Sequence, residues 1–368
     1  MRQVALVTSS SYVRAMATRL PPAKKRIHIL ALEDCTALVP VGYADLLRKA
    51  LALAAQGVGG QRPRALEVTL VSAGASRTVT AAGGLRLQCD ARLGDVRHSD
   101  LVLVPPLDPD VLEHLELNRA VVPWLRRLYE RGADVASACT GTFLLAEAGL
   151  LYGRSATTHW AFQELLRARY PRVRVEPQAV LVDQGRVCTA GGATSFLNLS
   201  LFLIERLLGA EVGLAASRMF LVDPNKAPQS AYAMFSPQKL HGDEPILRAQ
   251  QRVEQELRAG TPIDSLARHV ALSRRTFIRR FKLATGNSPL EYILRVRVEA
   301  AKRALERTAC SVAEVAEAVG YSDVVAFRKV FLSHAGLTPA DYRARYGPAS
   351  APSFASPSRP APRRRSAG

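Results

Sequence analysis

A cysteine between a predicted strand and a predicted helix is the residue of this sequence with the clearest capacity for chemistry. Residues 134–138 form a short apolar run typical of a buried strand, Cys139-Thr140-Gly141 follows as a tight turn, and a helix is predicted over 143–148. This order resembles a nucleophile elbow, in which the side chain stands beside backbone N–H groups at a helix start. Because a helix N-terminus favours negative charge, we expect it to lower the pKa of the thiol.

A histidine and a threonine later in the chain are the residues that could act with this thiol. His159 follows Cys139 by twenty residues, and Thr194 directly precedes an apolar helix predicted over 195–208. Nucleophilic catalysis also requires a third group that orients the base, and the residues themselves do not make one evident. Trp160, next to His159, could line the same site, although packing in a core is the alternative.

Basic residues in the last third of the chain indicate a second chemistry, the recognition of a polyanion. The stretch 265–282 recurs at 314–331, with an offset of 49 residues before a turn and 50 after it. One extra residue in the second turn accounts for the change of offset. The matching pairs are Ala267 and Ala316, Val270 and Val319, Phe277 and Phe327, Phe281 and Phe331, Gly286 and Gly336, Pro289 and Pro339, and Tyr292 and Tyr342.

Each copy of the repeat predicts two helices joined by a brief turn, as in a helix-turn-helix. Ser273 in the first copy and Asp323 in the second can cap the helix that follows the turn. Phe277 and Phe281 lie four residues apart and predict the core face of that helix. The opposite face could contact bases and phosphates, or it could be an ordinary solvated face; it carries Arg274, Arg275, Ile278, Arg279 and Lys282. A long helix over 289–308 would fix the spacing of the two units.

Residues 243–346 resemble the DNA-binding domain of the AraC/XylS family of transcription regulators. The resemblance implies double-stranded DNA and RNA polymerase as partners. The valines of the second unit could contact thymine methyl groups, or that unit could contribute mainly phosphate contacts. The matching segments are Leu266-Ala267, 273–282, 285–289, Val319-Gly320-Tyr321, 327–331, 336–339 and Tyr342-Arg343, and the implied base-contacting positions are Arg275, Ile278 and Arg279, then Val324, Val325, Arg328 and Lys329.

Short apolar strands alternate with helices in the first two thirds of the chain. This alternation predicts a parallel α/β sheet covered on both faces, in a domain over 26–222. The predicted strands are 27–32, 66–72, 101–105, 134–138, 180–183 and 186–189, and the predicted helices are 44–56, 123–131, 143–148 and 195–208.

This domain resembles the PfpI/ThiJ superfamily within the flavodoxin-like, class I glutamine amidotransferase-like fold. The resemblance rests on Cys139 in the elbow, His159 twenty residues later, and the segment 189–195 before an apolar helix. Enzymes of the superfamily place an acid near the end of the first strand, and that position falls on Thr36 here. Glu33 and Asp34 are near but offset. Asn198 likewise stands where an acid is expected.

Three uses of the cysteine and the histidine stay open: residual catalysis, a ligand pocket derived from an active site, or a purely structural role. The favoured candidate ligand-binding residues are Cys139, Thr140, His159 and Thr194. No cofactor and no metal are expected, and Cys35 is a weak candidate for a second thiol. Cys89, Cys188 and Cys310 are expected to be buried, without a chemical role.

The two resemblances together are typical of amidotransferase-like AraC regulators. They imply a sequence-specific activator that a small-molecule effector controls and that forms a homodimer through the α/β domain. Relatives of this architecture often respond to amino acids or quaternary ammonium compounds. The alternatives are a cysteine-dependent hydrolase with an appended DNA-binding domain, and an architectural protein that binds DNA without sequence preference.

Length, charge and cysteine content agree with a two-domain DNA-binding protein. The 368 residues carry a net charge of +18, of which +6 falls in residues 1–26, +6 in 243–346 and +4 in 347–368. The five cysteines show no CxxC spacing, which excludes an evident disulfide framework or zinc site. No signal peptide or membrane span is visible, so we expect a cytoplasmic protein. The remaining segments are predicted as an extension (1–25), a linker (223–242) and a disordered basic tail (347–368).

Overall fold

The structure, a computed structural model, describes residues 24–60, 65–107, 109–192, 194–223, 228–235, 237–239, 241–259 and 262–348. The chain divides after Lys226 into two compact units, an α/β unit and a helical unit. Of the predicted extension 1–25, residues 1–23 lie outside the described residues. Of the predicted tail 347–368, only Gly347 and Pro348 are described.

A seven-stranded, mostly parallel sheet forms the centre of the α/β unit. The eleven strands of its described residues are β1 Lys25–Ala31, β2 Leu66–Ser72, β3 Thr78–Thr80, β4 Arg86–Gln88, β5 Ala91–Arg92, β6 Leu101–Val104, β7 Asp134–Ala138, β8 Ser155–Ala156, β9 Arg174–Val175, β10 Leu181–Asp183 and β11 Val187–Ala190. The sheet has the order β10-β11-β7-β6-β1-β2-β5, and only β10 and β11 pair antiparallel. β3 with β4 and β8 with β9 form two further pairs.

Apolar residues cover both faces of the sheet, and its central strand β6 is accordingly a continuous hydrophobic run, Leu-Val-Leu-Val. Side chains alternate along a strand, so neighbouring residues enter opposite cores. In β6, Leu101 and Leu103 join one buried cluster while Val102 and Val104 join the other. The helices of this unit are α1 Leu38–Ala55, α2 Val111–Leu117, α3 Val121–Glu130, α4 Thr142–Glu147, α5 Gln163–Arg169, α6 Ser195–Leu208 and α7 Ala210–Met219.

The predicted strands lie within two residues of the observed ones, but two helix starts were predicted too late. The helix predicted over 44–56 begins at Leu38, and the helix predicted over 123–131 begins at Val121. In each helix a proline, Pro40 or Pro123, occupies the third position. A proline is tolerated there because the first N–H groups of a helix have no intrahelical partner. The helices α2, α5 and α7 were not predicted.

A buried histidine in β1 makes the stability of the α/β unit depend on pH. His28 lies 2.8 Å from the Ser99 hydroxyl through its Nδ1, and burial lowers its pKa. The unfolded chain, whose histidine has the ordinary pKa near 6.5, therefore binds more protons below that pH than the folded chain. We expect the melting temperature to fall as pH drops from 7.5 to 5.5, and His28→Gln to reduce this slope. An unchanged slope in the variant would contradict this role of His28.

Seven helices form the described part of the helical unit, and they repeat the sequence duplication in three dimensions. The helices are α8 Glu244–Gln255, α9 Ile263–His269, α10 Arg274–Thr285, α11 Pro289–Arg307, α12 Val312–Ala318, α13 Val324–Ala335 and α14 Pro339–Tyr346. Phe277 and Phe281 are fully buried in one core, and Phe327 and Phe331 in a second core. The core face predicted for the first copy is therefore confirmed.

Equivalent tyrosines form a hydrogen bond with a glutamate in each of the two helix-turn-helix units. Tyr292 donates from its hydroxyl to Glu254 at 2.9 Å in the first unit, and Tyr342 donates to Glu306 at 2.7 Å in the second. Ser273 accepts from the backbone N–H of Thr276, and Asp323 accepts from that of Val325, so both predicted caps are present. The helix α11 contributes residues to both cores.

Part of the predicted linker 223–242 is ordered structure of the helical unit. Residues 228–235 belong to that unit, with a 3₁₀ turn at Gln229–Ala231. Ser230 and Ala231 are buried there, in a segment whose Pro, Gln, Ser and Ala content predicts a linker. No helix among the described residues is long and apolar enough to span a bilayer.

Candidate functional site

Cys139 lies at a strained bend between β7 and α4. Its φ angle is +57°, a left-handed conformation that non-glycine residues rarely adopt. A 3₁₀ turn over Cys139–Gly141 follows and leads directly into the helix. A Cβ atom at Gly141 would collide with the carbonyl oxygen of Pro105 and lie 3.0 Å from that of Val104. The elbow is therefore held tightly against the end of β6, and strain of this kind is common at functional sites.

Buried hydroxyl groups fix the backbone around the cysteine. Thr158 donates to the carbonyl oxygen of Cys139 at 2.8 Å, and Thr140 donates to that of Leu107 at 2.6 Å. Thr142 donates to the carbonyl oxygen of Thr157 at 3.0 Å. Buried backbone groups must be hydrogen-bonded, and these hydroxyls supply partners for the carbonyl groups of the loops around Cys139. The hydrogen bonds therefore hold these loops in one conformation.

The structure brings His159 to the same end of the sheet as the elbow. Thr158 contacts the Cys139 backbone directly, and His159 is the next residue. The His159 ring lies 3.7 Å from where a Cβ of Gly192 would stand, just after β11. Its Nδ1 accepts the N–H of Ala161 at 3.2 Å, so the neutral ring carries its proton on Nε2. The Trp160 ring lies 5.1 Å from the imidazole.

The thiol and the imidazole are both neutral near pH 7. Burial raises the pKa of the Cys139 thiol to about 11, and the N–H of Thr140 lowers it only in part. The expectation that the helix start lowers this pKa is therefore wrong in its net direction, because desolvation outweighs the helix terminus. Burial also lowers the pKa of His159. A neutral pair is suited to hydrogen bonding with a ligand.

We expect Cys139 to react slowly with iodoacetamide at pH 7.5. With a pKa of about 11, the thiolate fraction is roughly 1 in 3,000, and alkylation should accelerate about tenfold per pH unit up to pH 10. Peptide mass spectrometry of the timed reaction measures this, with the exposed Cys310 as the fast internal reference. Rapid, pH-independent alkylation of Cys139 would instead indicate a thiolate.

The carboxylates next to the expected acid position, after the first strand, are engaged elsewhere. Glu33 accepts the N–H of Thr80 at 3.1 Å, and Asp34 lies 3.7 Å from His114. Thr36, at the position of the acid in the resemblance, is exposed. Asn198 donates to the carbonyl oxygen of Asp223 at 2.9 Å. None of these carboxylates is among the groups that shift the pKa of Cys139 or His159 in the described part of the chain.

Tyr43 is a residue of this region that the sequence reasoning missed. It is completely buried on α1, and its ring meets the edge of Phe196 at 5.5 Å. Its hydroxyl has no hydrogen-bond partner among the described residues, and the nearby Cys139 thiolate would raise its already high pKa. A tyrosine on an apolar helix face gives only a core signal in sequence, so proximity to the elbow could not be predicted.

The other predicted residues have mixed environments. Thr194 is exposed at the start of α6, beyond the end of β11. Cys35 is fully buried, which raises the pKa of its thiol to about 11 and removes the support for a second reactive thiol. Cys89 and Cys188 are buried as predicted, whereas the prediction for Cys310 is wrong. Cys310 is exposed because it lies in the loop between α11 and α12.

A groove with a volume of about 520 Å³ lies between α6, α7 and β10. Its lining includes Leu181, Phe202 and Leu214. None of the four candidate ligand-binding residues lines it, within the described part of the unit. The groove and the elbow are therefore distinct features, and only the elbow combines hydrogen-bonding side chains with strain.

The first predicted recognition helix, α10, presents its basic side chains to solvent. Arg275, Arg279 and Lys282 are exposed, and Ile278 is partly exposed beside them. Arg274 is exposed as well and lies 3.5 Å from Asp264. These exposures are compatible with contacts to base edges or to phosphates.

The second predicted recognition helix, α13, is less basic. Val325 is 72% exposed, and Val324 is partly buried against the second core. Arg328 and Lys329 are exposed. An exposed valine at the start of a helix that carries two cations fits either a methyl contact or phosphate binding, the two uses considered from the sequence.

Comparison with known proteins identifies both units. The helix-turn-helix domain pattern matches residues 266–345, and the pattern of the DJ-1/PfpI family matches residues 46–206. The HTH-type transcriptional regulator GbdR of Pseudomonas aeruginosa is 30% identical over 268 residues, covering 73% of this chain and 72% of the relative. The HTH-type transcriptional regulator CdhR of the same species is 28% identical, covering 77% and 83%. An isonitrile hydratase of Pseudomonas putida is 31% identical over 140 residues, covering 36% of this chain and 56% of the enzyme.

Proposed function

The chain belongs to the HTH-type transcriptional regulators that join a DJ-1/PfpI domain to an AraC-type helix-turn-helix domain, and we propose that a small-molecule effector controls its binding to DNA. DNA binding follows from the family. The observation that carries the effector proposal is the elbow, which is kept rigid and strained around a neutral thiol. A chain that had lost all use for this bend would not be expected to retain its cost of order 1–3 kcal/mol.

We assign sequence reading mainly to the first unit. Arg275 and Arg279 are exposed on α10 with the partly exposed Ile278 beside them, and we assign the flanking Arg274 and Lys282 to phosphate contacts. In the second unit we assign Val324 and Val325 to thymine methyl groups, and Arg328 and Lys329 to phosphates. Two units that read DNA favour a defined operator, which an architectural protein would not need.

We expect Arg279→Ala to weaken binding to a specific operator by about 5- to 150-fold. Loss of a bidentate contact to guanine costs about 1–3 kcal/mol, and the base preference at that one position should relax. The measurement is a titration of fluorescent duplexes, the selected operator and single-base variants of it. Lys282→Ala is the matched control, since loss of a phosphate contact should weaken all sequences equally. An equal loss on every duplex in the Arg279 variant would make Arg279 a phosphate contact.

For the α/β unit we propose a ligand site formed by Cys139, Thr140, His159 and Thr194, not a catalytic one. Support comes from the raised pKa of the thiol and from the engagement of Glu33 and Asp34 in other contacts. Nucleophilic catalysis needs an activated thiolate, and burial favours the neutral form of this thiol. The effector class that we propose, on the resemblance, is an amino acid or a quaternary ammonium compound.

A thermal-shift screen of the full-length protein tests this site. One ligand class should raise the melting temperature, because a ligand at 100 times its Kd stabilises the folded state by about 2.7 kcal/mol. His159→Gln and Thr140→Val should reduce the shift, and Cys139→Ser should keep at least part of it. Turnover of the ligand that disappears in Cys139→Ser would establish the alternative, a cysteine-dependent enzyme. A shift that all three variants leave intact would place the ligand elsewhere, with the groove beside Leu214 as the next site to test.

We further propose that the regulator is a cytoplasmic homodimer through the α/β unit and an activator that contacts RNA polymerase. A dimer would double the DNA contacts and match a repeated operator. Light scattering after size exclusion tests the dimer, and a single-round transcription assay with purified RNA polymerase tests activation. A monomer under conditions that support operator binding, or reduced transcription on effector addition, would refute the respective part.

A further inference from the structure

Lys302 is a buried cation whose two hydrogen-bond acceptors lie in one short segment. It stands on α11 and is 5% exposed. Its ammonium donates to the carbonyl oxygens of Ser230 at 3.2 Å and Ala233 at 2.8 Å. Removing an ammonium group from water is costly unless its donors are paired. Segment 228–235, which we call the strap, therefore supplies the pairing that allows a lysine at this position.

The strap packs on the second helix-turn-helix unit. Arg345 of α14 donates to the Tyr232 hydroxyl at 2.8 Å, and the Tyr232 ring meets Tyr346 edge-on at 6.2 Å. A Cβ atom at Gly336, which ends α13, would collide with the Ser230 hydroxyl and lie 3.0 Å from the Pro228 side chain. The end of the second recognition helix and the strap thus approach as closely as a glycine permits.

The other end of the strap packs on the first unit. The Phe235 ring lies 5.4 Å from the Tyr292 ring, edge-on, in the core that also contains Phe281. The backbone N–H of Phe235 donates to Glu299 at 3.2 Å. Eight residues therefore reach from the core of the first unit to the end of the second recognition helix.

This bridge matters because the two units have separate cores. Helix α11 joins them, and a single connecting helix constrains their relative rotation less than a helix with a second connection beside it. Two recognition helices can bind one duplex together only when their separation matches the groove spacing. A small rotation of one unit would break the contacts of that unit with DNA without unfolding it.

We propose that Lys302 and the strap position the second helix-turn-helix unit for DNA binding. The lysine is a positioning residue: it acts on DNA affinity through the strap and the end of α13. The proposal goes beyond the effector hypothesis and does not depend on the Cys139 site.

The test compares Lys302→Met with wild type on two duplexes. The probe is an operator selected by the wild-type protein from a random-sequence DNA library. Footprinting of the bound operator assigns its halves: Arg279→Ala should lose protection of the half that the first unit contacts, and Arg328→Ala that of the other half. The second duplex keeps the half read by the first unit and has the other half scrambled. We expect Lys302→Met to lose at least tenfold affinity on the full operator and less than twofold on the scrambled duplex. Amide exchange in 228–235 should rise.

Arg303→Met is the matched control, because it removes an exposed charge from the next position of the same helix. A similar loss on both duplexes for Lys302→Met, or no loss on either, would overturn the proposal. Tyr232→Ala loosens the strap from its opposite side and leaves Lys302 in place. It should give the same selective loss, and it replaces Lys302→Met if that variant does not fold. Equal effects of Tyr232→Ala on both duplexes would also refute the positioning role.

Discussion

Phe331→Ala is expected to unfold the second helix-turn-helix unit at temperatures where the rest of the chain stays folded. Phe331 is completely buried in the second core, between Phe327 at 5.6 Å and Tyr342 at 5.5 Å. Truncating a buried phenylalanine costs about 3–5 kcal/mol, since the lost contacts leave a cavity. A core of this size has little stability to spare. Amide exchange followed by mass spectrometry should show the loss of protection in 298–346.

The repeat offers a matched control for this experiment. Phe281 occupies the equivalent position in the first core, packed on Phe277 at 5.4 Å and Tyr292 at 5.2 Å. Phe281→Ala should therefore expose amides of the first helix-turn-helix unit and spare those of the second. If both variants lost protection over the same residues, the two cores would be one cooperative unit, and their separation would be wrong.

Gly141→Ala is expected to destabilise the α/β unit by about 1–3 kcal/mol or more, the range for overpacking a well-filled interior. The added methyl group would overlap the Pro105 carbonyl oxygen, which belongs to the backbone and cannot rotate away. The elbow or the end of β6 must then move. Chemical denaturation measures the loss of stability. Alkylation of Cys139 at pH 9 should accelerate, because a displaced elbow admits solvent.

Gly94→Ala is the control for the substitution itself. A Cβ atom at Gly94 would have no neighbour within 4 Å, and its φ angle is not positive. This variant should keep wild-type stability and wild-type alkylation of Cys139. If the Gly141→Ala protein matched the Gly94 variant in both measurements, the elbow would accommodate a methyl group, and the close packing of Gly141 on Pro105 would be wrong.

These experiments separate the two halves of the functional assignment. The phenylalanine variants test the two helix-turn-helix units, and the glycine variant tests the geometry on which the proposed effector site rests. Loss of operator binding in Gly141→Ala, with an intact helical unit, would support control of DNA binding by the α/β unit.

Features that depend on a few neighbouring residues could be predicted from local patterns of residue types. The repeat placed Phe277 and Phe281 in a core, and Ser273 and Asp323 at helix starts, because the helical period and cap chemistry act over a few residues. Alternating apolar strands and helices likewise predicted the parallel sheet, and the turn at Cys139 predicted the elbow.

Features that arise between distant segments depend on packing and could not be predicted from the sequence. The pKa of Cys139 depends on how completely the fold buries it, so desolvation reversed the direction expected from the helix start. Tyr43 lies near Cys139 although 96 residues separate them in the chain. The carbonyl groups that pair with Lys302 likewise lie about 70 residues before it. A segment that begins Pro-Gln-Ser-Ala gives no sign in sequence that a buried lysine pairs with its carbonyl groups, because backbone acceptors are the same in every residue.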